Sequence, residues 1–356
     1  MNIPYRTRVF LQRLGAVLLF LVLVLIIAWF CTVVWLERYI VYSRDGAMVD
    51  MSFSSNEMQG ELAVPPVSGG DTGITIYFNE GDNAIETSNE MFQLNGYFIS
   101  MDLLRTDIAG VWDLLAPLPA GTPIMIDVKG GMGAFCYTSS LQDAPRATSV
   151  SVDAVDELIK NMQAKGFYTI ARVSAFRDYN FGLNHVPNGL MHVNRKGLWP
   201  DPDNCYWLKP NDPVVQNWII SFVNELKGIG FDEVVLTDFW FPNSDKYIFN
   251  EDKDQVLADA ATNLLKNCTA VDFVLSFATN NPAFPLPEGR TRLYLENVGA
   301  TQVGANVAQC TVENQQINLA FMAQSNDSRF NDYSVLRPIT SAEVLEAQKA
   351  EQALQE

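Results

Sequence analysis

The sequence predicts an α/β chain: a (β/α)8 TIM barrel preceded by a single N-terminal transmembrane helix. Three observations predict it. Leu14 to Leu36 runs for 23 residues without a charge. Apolar, strand-like runs recur eight times between residues 96 and 327. Between several of them lie segments whose apolar residues repeat at helical spacing.

Taken in order, residues 1–13 form a short N-terminal arm carrying Arg6, Arg8 and Arg13 and no acid. Residues 14–36, at about 1.5 Å per residue, are long enough to cross a hydrocarbon core of roughly 30 Å. A cleaved signal peptide would need a shorter apolar stretch and a small-x-small site, which "FCTVVWLERYI" does not offer. Arg38 and Arg44 follow the span among Glu37, Asp45 and Asp50, so the positive-inside bias places the N-terminus in the cytoplasm. The expectation is a single-pass protein of the cell membrane with its C-terminal domain extracellular. Residues 37–92 read as a stalk or linker, marked by "ELAVPPVSGGDTG", with "GITIYF" (73–78) as an extra strand.

The barrel is expected over residues 93–340. Its strands are read at 96–104, 123–130, 168–176, 233–241, 272–280, 292–298, 307–314 and 318–327, as near-continuous apolar runs suited to parallel strands covered on both faces. In 151–166, Val155, Leu158, Ile159 and Met162 form one helical face, and Gly166 stops it. In 211–230, Asp212 caps and Pro213 occupies the first helical position. Residues 251–267 repeat the pattern, and the tail 341–356 reads as a charged helix.

Composition narrows the function. Without the three arginines ahead of the span, the 24 basic residues fall to 21 against 41 acids, a net of −20. Such a surface repels a phosphate backbone, so no nucleic-acid partner is expected; a neutral or cationic partner such as a glycan fits. With two histidines, His185 and His192, and no CxxC, no metal or organic cofactor is implied. Four cysteines lie beyond the span, and Cys136 and Cys205, on neighbouring loops, are expected to form a disulfide.

The working face of such a barrel is the C-terminal end of its strands. There strand two ends with Asp127 and Lys129, placed on one face by alternation, and strand three presents Arg172 and Ser174. Arg177 and Asp178 follow; strand four ends at Asp238, strand five at Asn280, strand six at Glu296 and strand eight at Asp327. Paired carboxylates serve glycoside hydrolysis. Asp238 is expected as nucleophile or base and Glu296 as acid, with Asp127 a competing carboxylate. Lys129, Arg172, Asp178 and Asp201 would orient a sugar. Trp199 and Trp207, from the long loop after strand three, and Trp240 would stack on it.

The runs "IDVKGGMG", "ELIKNMQAKGFYTIARVSAFRD" and "GLWPDPDNCYWLKPNDPVVQNWIISFVNELKGIGFDEVVLTDFWFP" resemble, in this order, the bacterial putative glycoside hydrolase domain family, a TIM barrel distantly similar to amylase-type hydrolases. The resemblance implies an acid and a lysine closing strand two, matching Asp127 and Lys129. It implies the "F-K-D" element at Phe176, Arg177 and Asp178, and "G-L-W-x-D" at Gly197, Leu198, Trp199 and Asp201. It departs at strand four, where Thr237 stands in the family's aspartate position and Trp240 replaces its arginine. The activity implied is hydrolysis of a polysaccharide or oligosaccharide. The alternative is a non-catalytic glycan-binding or cell-envelope scaffold on the same fold.

Overall fold

The computed structural model describes residues 40–43, 46–49, 91–323 and 325–339. The chain divides into two compact units, Met1–Asn83 and Ala84–Glu356. In the first, β1 (Ile40–Ser43) pairs antiparallel with β2 (Gly46–Val49). The expected membrane span at 14–36, the extra strand at 73–78 and the tail helix at 341–356 lie outside the described residues. Among the described residues, no helix is long and apolar enough to cross a membrane.

The second unit is a closed barrel of eight parallel strands. They are β3 (Asn95–Ile99), β4 (Pro123–Lys129), β5 (Tyr168–Ser174), β7 (Glu233–Thr237), β9 (Val274–Thr279), β10 (Leu293–Glu296), β11 (Leu319–Met322) and β12 (Ser334–Pro338). Each pairs with its neighbour in this order, and β12 closes on β3 with Val335 opposite Asn95. The remaining strands, β6 (Met191–His192) and β8 (Tyr247–Ile248), form a small antiparallel sheet that ties together the loops after β5 and β7.

Helices occupy the outside. They are α1 (Met101–Thr106), α2 (Ile108–Leu115), α3 (Val152–Lys165), α4 (Tyr179–Asn184), α5 (Pro213–Ile229), α6 (Lys253–Cys268), α7 (Val303–Gln309) and α8 (Gln315–Asn318). The expected punctuation is present: Asp212 accepts from the Val214 amide at 2.8 Å, and Gly166 and Gly230 end their helices at φ 79° and 105°. Alternate strand residues face two cores. Met125, Ile170, Val235, Tyr294, Ala320 and Leu336 cluster in the barrel, while Ile126, Val173 and Leu236 pack outward under Leu158 of α3 and Phe222 of α5.

Two strand expectations are corrected. Residues 307–314 contain no strand; the end of α7 and the turn at Cys310 occupy them. The seventh barrel strand is β11, and the eighth is β12, beyond every expected run. Asp327 therefore ends no strand: it caps a short 3-10 turn (Ser328–Phe330) and pairs with Arg329 at 2.7 Å. The expected disulfide is also absent. Cys136 and Cys205 are free thiols whose sulfurs rest 3.3 and 3.5 Å from the sulfurs of Met101 and Met132.

Candidate active site

Two clusters of polar side chains occupy the barrel, one at each end of the strands. At the N-terminal end, Glu233 opens β7 and accepts from Ser276 at 2.6 Å, and from Tyr168 and Tyr294 at 3.0 Å. It is paired with Arg292, and both side chains are wholly buried. This is a closed floor.

At the C-terminal end, Arg172 is the hub. Its Nη1 meets Asp127 at 2.8 Å, while its Nε and Nη2 grip Glu296 at 2.8 and 3.0 Å in a two-point clamp. Thr237 completes the ring at 3.3 Å from Arg172 and 3.4 Å from Glu296. Burial alone would lower the guanidinium pKa, but Asp127 and Glu296 hold it well above its ordinary value. Asp127 is committed on both oxygens, since its second one accepts from the Met101 amide at 2.9 Å. Glu296 keeps 14% of its side chain exposed.

Asp238 lies just past the end of β7, at φ +54°. A non-glycine residue in the left-handed region is uncommon, and Asp tolerates it better than most. The turn breaks strand alternation, so while Thr237 faces Arg172 and Glu296, the next residue sends its carboxylate to Ser174 Oγ at 2.6 Å. Burial raises the Asp238 pKa, assisted by the charge of Glu296 and opposed by Ser174, Arg172 and Arg177. Asn297, immediately after Glu296, also has positive φ, at 56°. Both strand ends that carry the expected carboxylate pair are thus left-handed, the kind of local strain that gathers at functional sites.

Lys129 and Asp178 do not reach this mouth. Register shifts between Asp127 and Lys129 through a β-bulge, which breaks the alternation expected to put them on one face. Lys129 turns outward beneath the Phe222 ring, pairs with Asp178 at 2.9 Å and donates to the Ser174 carbonyl at 2.8 Å. Both side chains are fully buried, so they brace the end of β5 rather than meet a ligand. Asp178 also caps α4 through the Phe181 amide. Gly133 is required beside it, because a Cβ there would fall 1.9 Å from the Asp178 carboxylate.

The expected aromatic platform is a cleft of about 740 Å³ lined by Trp199, Asp201, Trp207, Trp240, Asn243 and Lys246, among others. Its rings differ in exposure. Trp199 and Trp207 are 6% and 5% exposed and serve mainly as walls. Trp240, half-buried and 6.1 Å from Trp207, offers the freer face. Asp201 is the knot of this loop. It accepts from Arg177 at 2.6 Å, from the indole of Trp207 at 3.1 Å and from the Cys205 amide at 2.9 Å. Burial would raise its pKa, but these donors hold it below the ordinary value.

Ser174, Thr237 and Arg177 join the site without having been singled out as site residues. Ser174 shares a face with Arg172, two residues earlier, but that placement alone gives it no role. Among the described residues, no cluster of His, Cys, Asp and Glu could hold a metal ion.

Residues 122–278, from just before the second barrel strand into the fifth, match the model of a family described as a putative glycosyl hydrolase domain. Asp127, Arg172, Ser174, Thr237 and Asp238 fall within the matched segment, and Glu296 falls beyond it. Similar solved structures include a hypothetical protein from Ruminiclostridium thermocellum, at 20% identity over 51% of this chain and 96% of that one, with a TM-score of 0.45. Another is the GH36 alpha-galactosidase AgaA of Geobacillus stearothermophilus, at 11% identity over 75% of this chain and 42% of that one, with a TM-score of 0.46. A third is the GH20 exo beta-N-acetylglucosaminidase of Vibrio harveyi, at 10% identity over 65% and 41%, with a TM-score of 0.44. The chain spans less than half the length of these two enzymes. No curated protein matches it in sequence.

Proposed function

We propose that the putative glycosyl hydrolase domain cleaves glycosidic bonds of a polysaccharide or oligosaccharide, with Asp238 and Glu296 as its two carboxylates. The observation that carries this reading is their contrast at one mouth. Glu296 is held by a two-point arginine clamp, whereas Asp238 is buried against a serine and its pKa is raised by that burial, so two carboxylates of the same site sit in different surroundings. That division is what acid-assisted glycoside cleavage needs. The tryptophan-lined cleft, joined to Asp238 through Asp201, Arg177 and Ser174, supplies apolar faces for sugar rings.

The test is reducing-end release by the full chain on a panel of cell-wall and plant polysaccharides. Asp238→Asn and Glu296→Gln should each lower turnover by about 10²- to 10⁴-fold. No release from any glycan, with binding to one retained, would replace this reading with a glycan-binding scaffold. One observation favours that second reading: Thr237, not an aspartate, faces the arginine clamp at the end of β7.

Residues 14–36 are proposed as the anchor, with the barrel outside the cell. The full chain should then stay with membranes through alkaline extraction, and deletion of 14–36 should release it.

A further inference from the structure

Ser174 has one hydroxyl proton and two acceptors in reach. Its Oγ lies 2.6 Å from the Arg177 carbonyl oxygen and 2.6 Å from Asp238 Oδ2. A carbonyl oxygen can only accept, and an ionised carboxylate can only accept. Were Asp238 ionised, one of these two contacts would bring two acceptors together without a proton between them. Three oxygens in this chain need two protons, and Ser174 brings one. The second must come from Asp238.

Resting on the hydrolase reading above but reversing the roles expected from sequence, we propose that Asp238 is the proton donor of the pair, held protonated at rest by Ser174. Ser174 is a positioning residue: it gives its proton to the Arg177 carbonyl and accepts from the Asp238 carboxyl. Its backbone is fixed on the other side by Lys129, which donates to the Ser174 carbonyl at 2.8 Å. Arg177 cannot easily swing away, since its guanidinium is bound to Asp201 at 2.6 Å and Asp203 at 2.7 Å. The charged groups acting on Asp238 are Arg172 and Arg177, which favour ionisation, and Glu296, which opposes it. Cys205 faces it too, with a thiol pushed up to about 11 by burial and therefore neutral. Burial and Glu296 outweigh the arginines and a Ser174 hydrogen bond that would favour ionisation if the hydroxyl donated to the carboxylate, so the net direction is the one the proton count requires.

In the reaction, the Asp238 O–H bond breaks as the glycosidic oxygen takes the proton, and the C–O bonding pair leaves with that oxygen. Water supplies the oxygen that ends on the anomeric carbon, and its remaining proton re-forms the Asp238 acid. Glu296, clamped by Arg172, is the carboxylate that faces the positive charge developing at that carbon.

The test is an infrared titration of the full chain, which needs no turnover. A carboxylic-acid carbonyl band should persist at neutral pH and be missing in Asp238→Asn, a substitution that suits the left-handed backbone. Ser174→Ala should lower the pH at which the band is lost by about one unit, the size of one hydrogen bond to the neutral form. Ser174→Thr, which keeps the hydroxyl, should restore it. If Ser174 instead donates to an ionised Asp238, its removal raises that pH; this result, or absence of the band from the wild type, overturns the proposal. Aryl glycosides with good leaving groups give the second readout, since they need no acid. In a single turnover, Asp238→Asn should retain release of their leaving group, the step that needs no acid, while losing the polysaccharide, and Glu296→Gln should lose both; equal loss of that single-turnover release in Asp238→Asn overturns the donor role. A band that behaves as expected in a chain that cleaves no glycan rejects the hydrolase reading and leaves the protonated Asp238 standing.

Discussion

At the floor of the barrel, Glu233 and Arg292 have no exposed side-chain surface; at the mouth, Arg172, Asp127 and Glu296 keep between 14% and 24% of theirs. Both ends use an arginine and carboxylates on the same inward-facing strand positions. The floor closes its network: Arg292 also reaches the carbonyls of Phe92 and Ile317, and Glu233 collects two tyrosines and a serine. The mouth leaves its network open, flanked by left-handed residues at 238 and 297. An arginine–carboxylate pair alone therefore marks neither stability nor function. What separates the two ends is whether the remaining valences are filled by protein and whether the backbone is relaxed.

The comparison can be broken by removing one partner at each end. Glu233→Ala should cost about 3–5 kcal/mol of unfolding free energy, because Arg292 is left charged, buried and unpaired. Urea unfolding checks this, and a loss under about 1 kcal/mol would mean that the floor reorganises. Arg172→Met at the mouth should act differently. Its solvent access limits the stability loss to roughly 1–3 kcal/mol, while glycan turnover should fall by about a hundredfold as Glu296 loses its clamp. If stability falls as far as for the floor mutant with turnover unchanged, the two ends are equivalent and the distinction fails.

Trp240 sharpens the mouth on its outer side. Trp240→Ala should weaken glycan binding roughly two- to tenfold, since one stacking contact contributes about 0.5–1.5 kcal/mol. Isothermal titration with the best oligosaccharide from the substrate panel measures it. Trp207→Ala should instead lower stability, because that ring is buried and its indole is bonded to Asp201.

The same contrast shows what could be read in the sequence. Barrel strands β3, β4, β5, β7, β9, β10 and β11 announced themselves because a parallel strand covered on both faces is largely apolar. Strand β12, "SVLRP", did not, being short, interrupted by Arg337 and ended by Pro338. The segment 307–314 was misleading because its few apolar residues serve a short helix and its exit turn. At the site, Asp238, Glu296, Arg172 and Trp240 were legible from their places at strand ends. The direction of Asp238 into the mouth was expected, but the turn that achieves it was not legible, because it depends on a single left-handed φ that Asp tolerates without demanding. Nor was the outward turn of Lys129, which a bulge decides.

The last expected effect is a pH dependence, and its sign is specific. Burial raises the Asp238 pKa in the folded chain above the aspartate value of about 3.9 that holds when unfolded. In the window above that value, the folded state binds more protons than the unfolded state, so this group makes stability fall as pH rises. Asp201 and Glu225 work in the opposite direction. Their folded pKa values are lowered despite burial, Asp201 by Arg177 and Glu225 by Ser139, Ser140 and Tyr137. What they contribute is complete above the ordinary carboxylate range and is lost as pH falls through their folded values. Asp238→Asn should therefore leave the acid limb of the stability curve unchanged and flatten the decline above about pH 4. Asp201→Asn should blunt the acid limb and leave that decline in place. Urea midpoints from about pH 3 to about pH 8 separate the two. A decline that survives in Asp238→Asn would assign it to another group and remove Asp238 from the side of the comparison that holds an ionisable group against its preference.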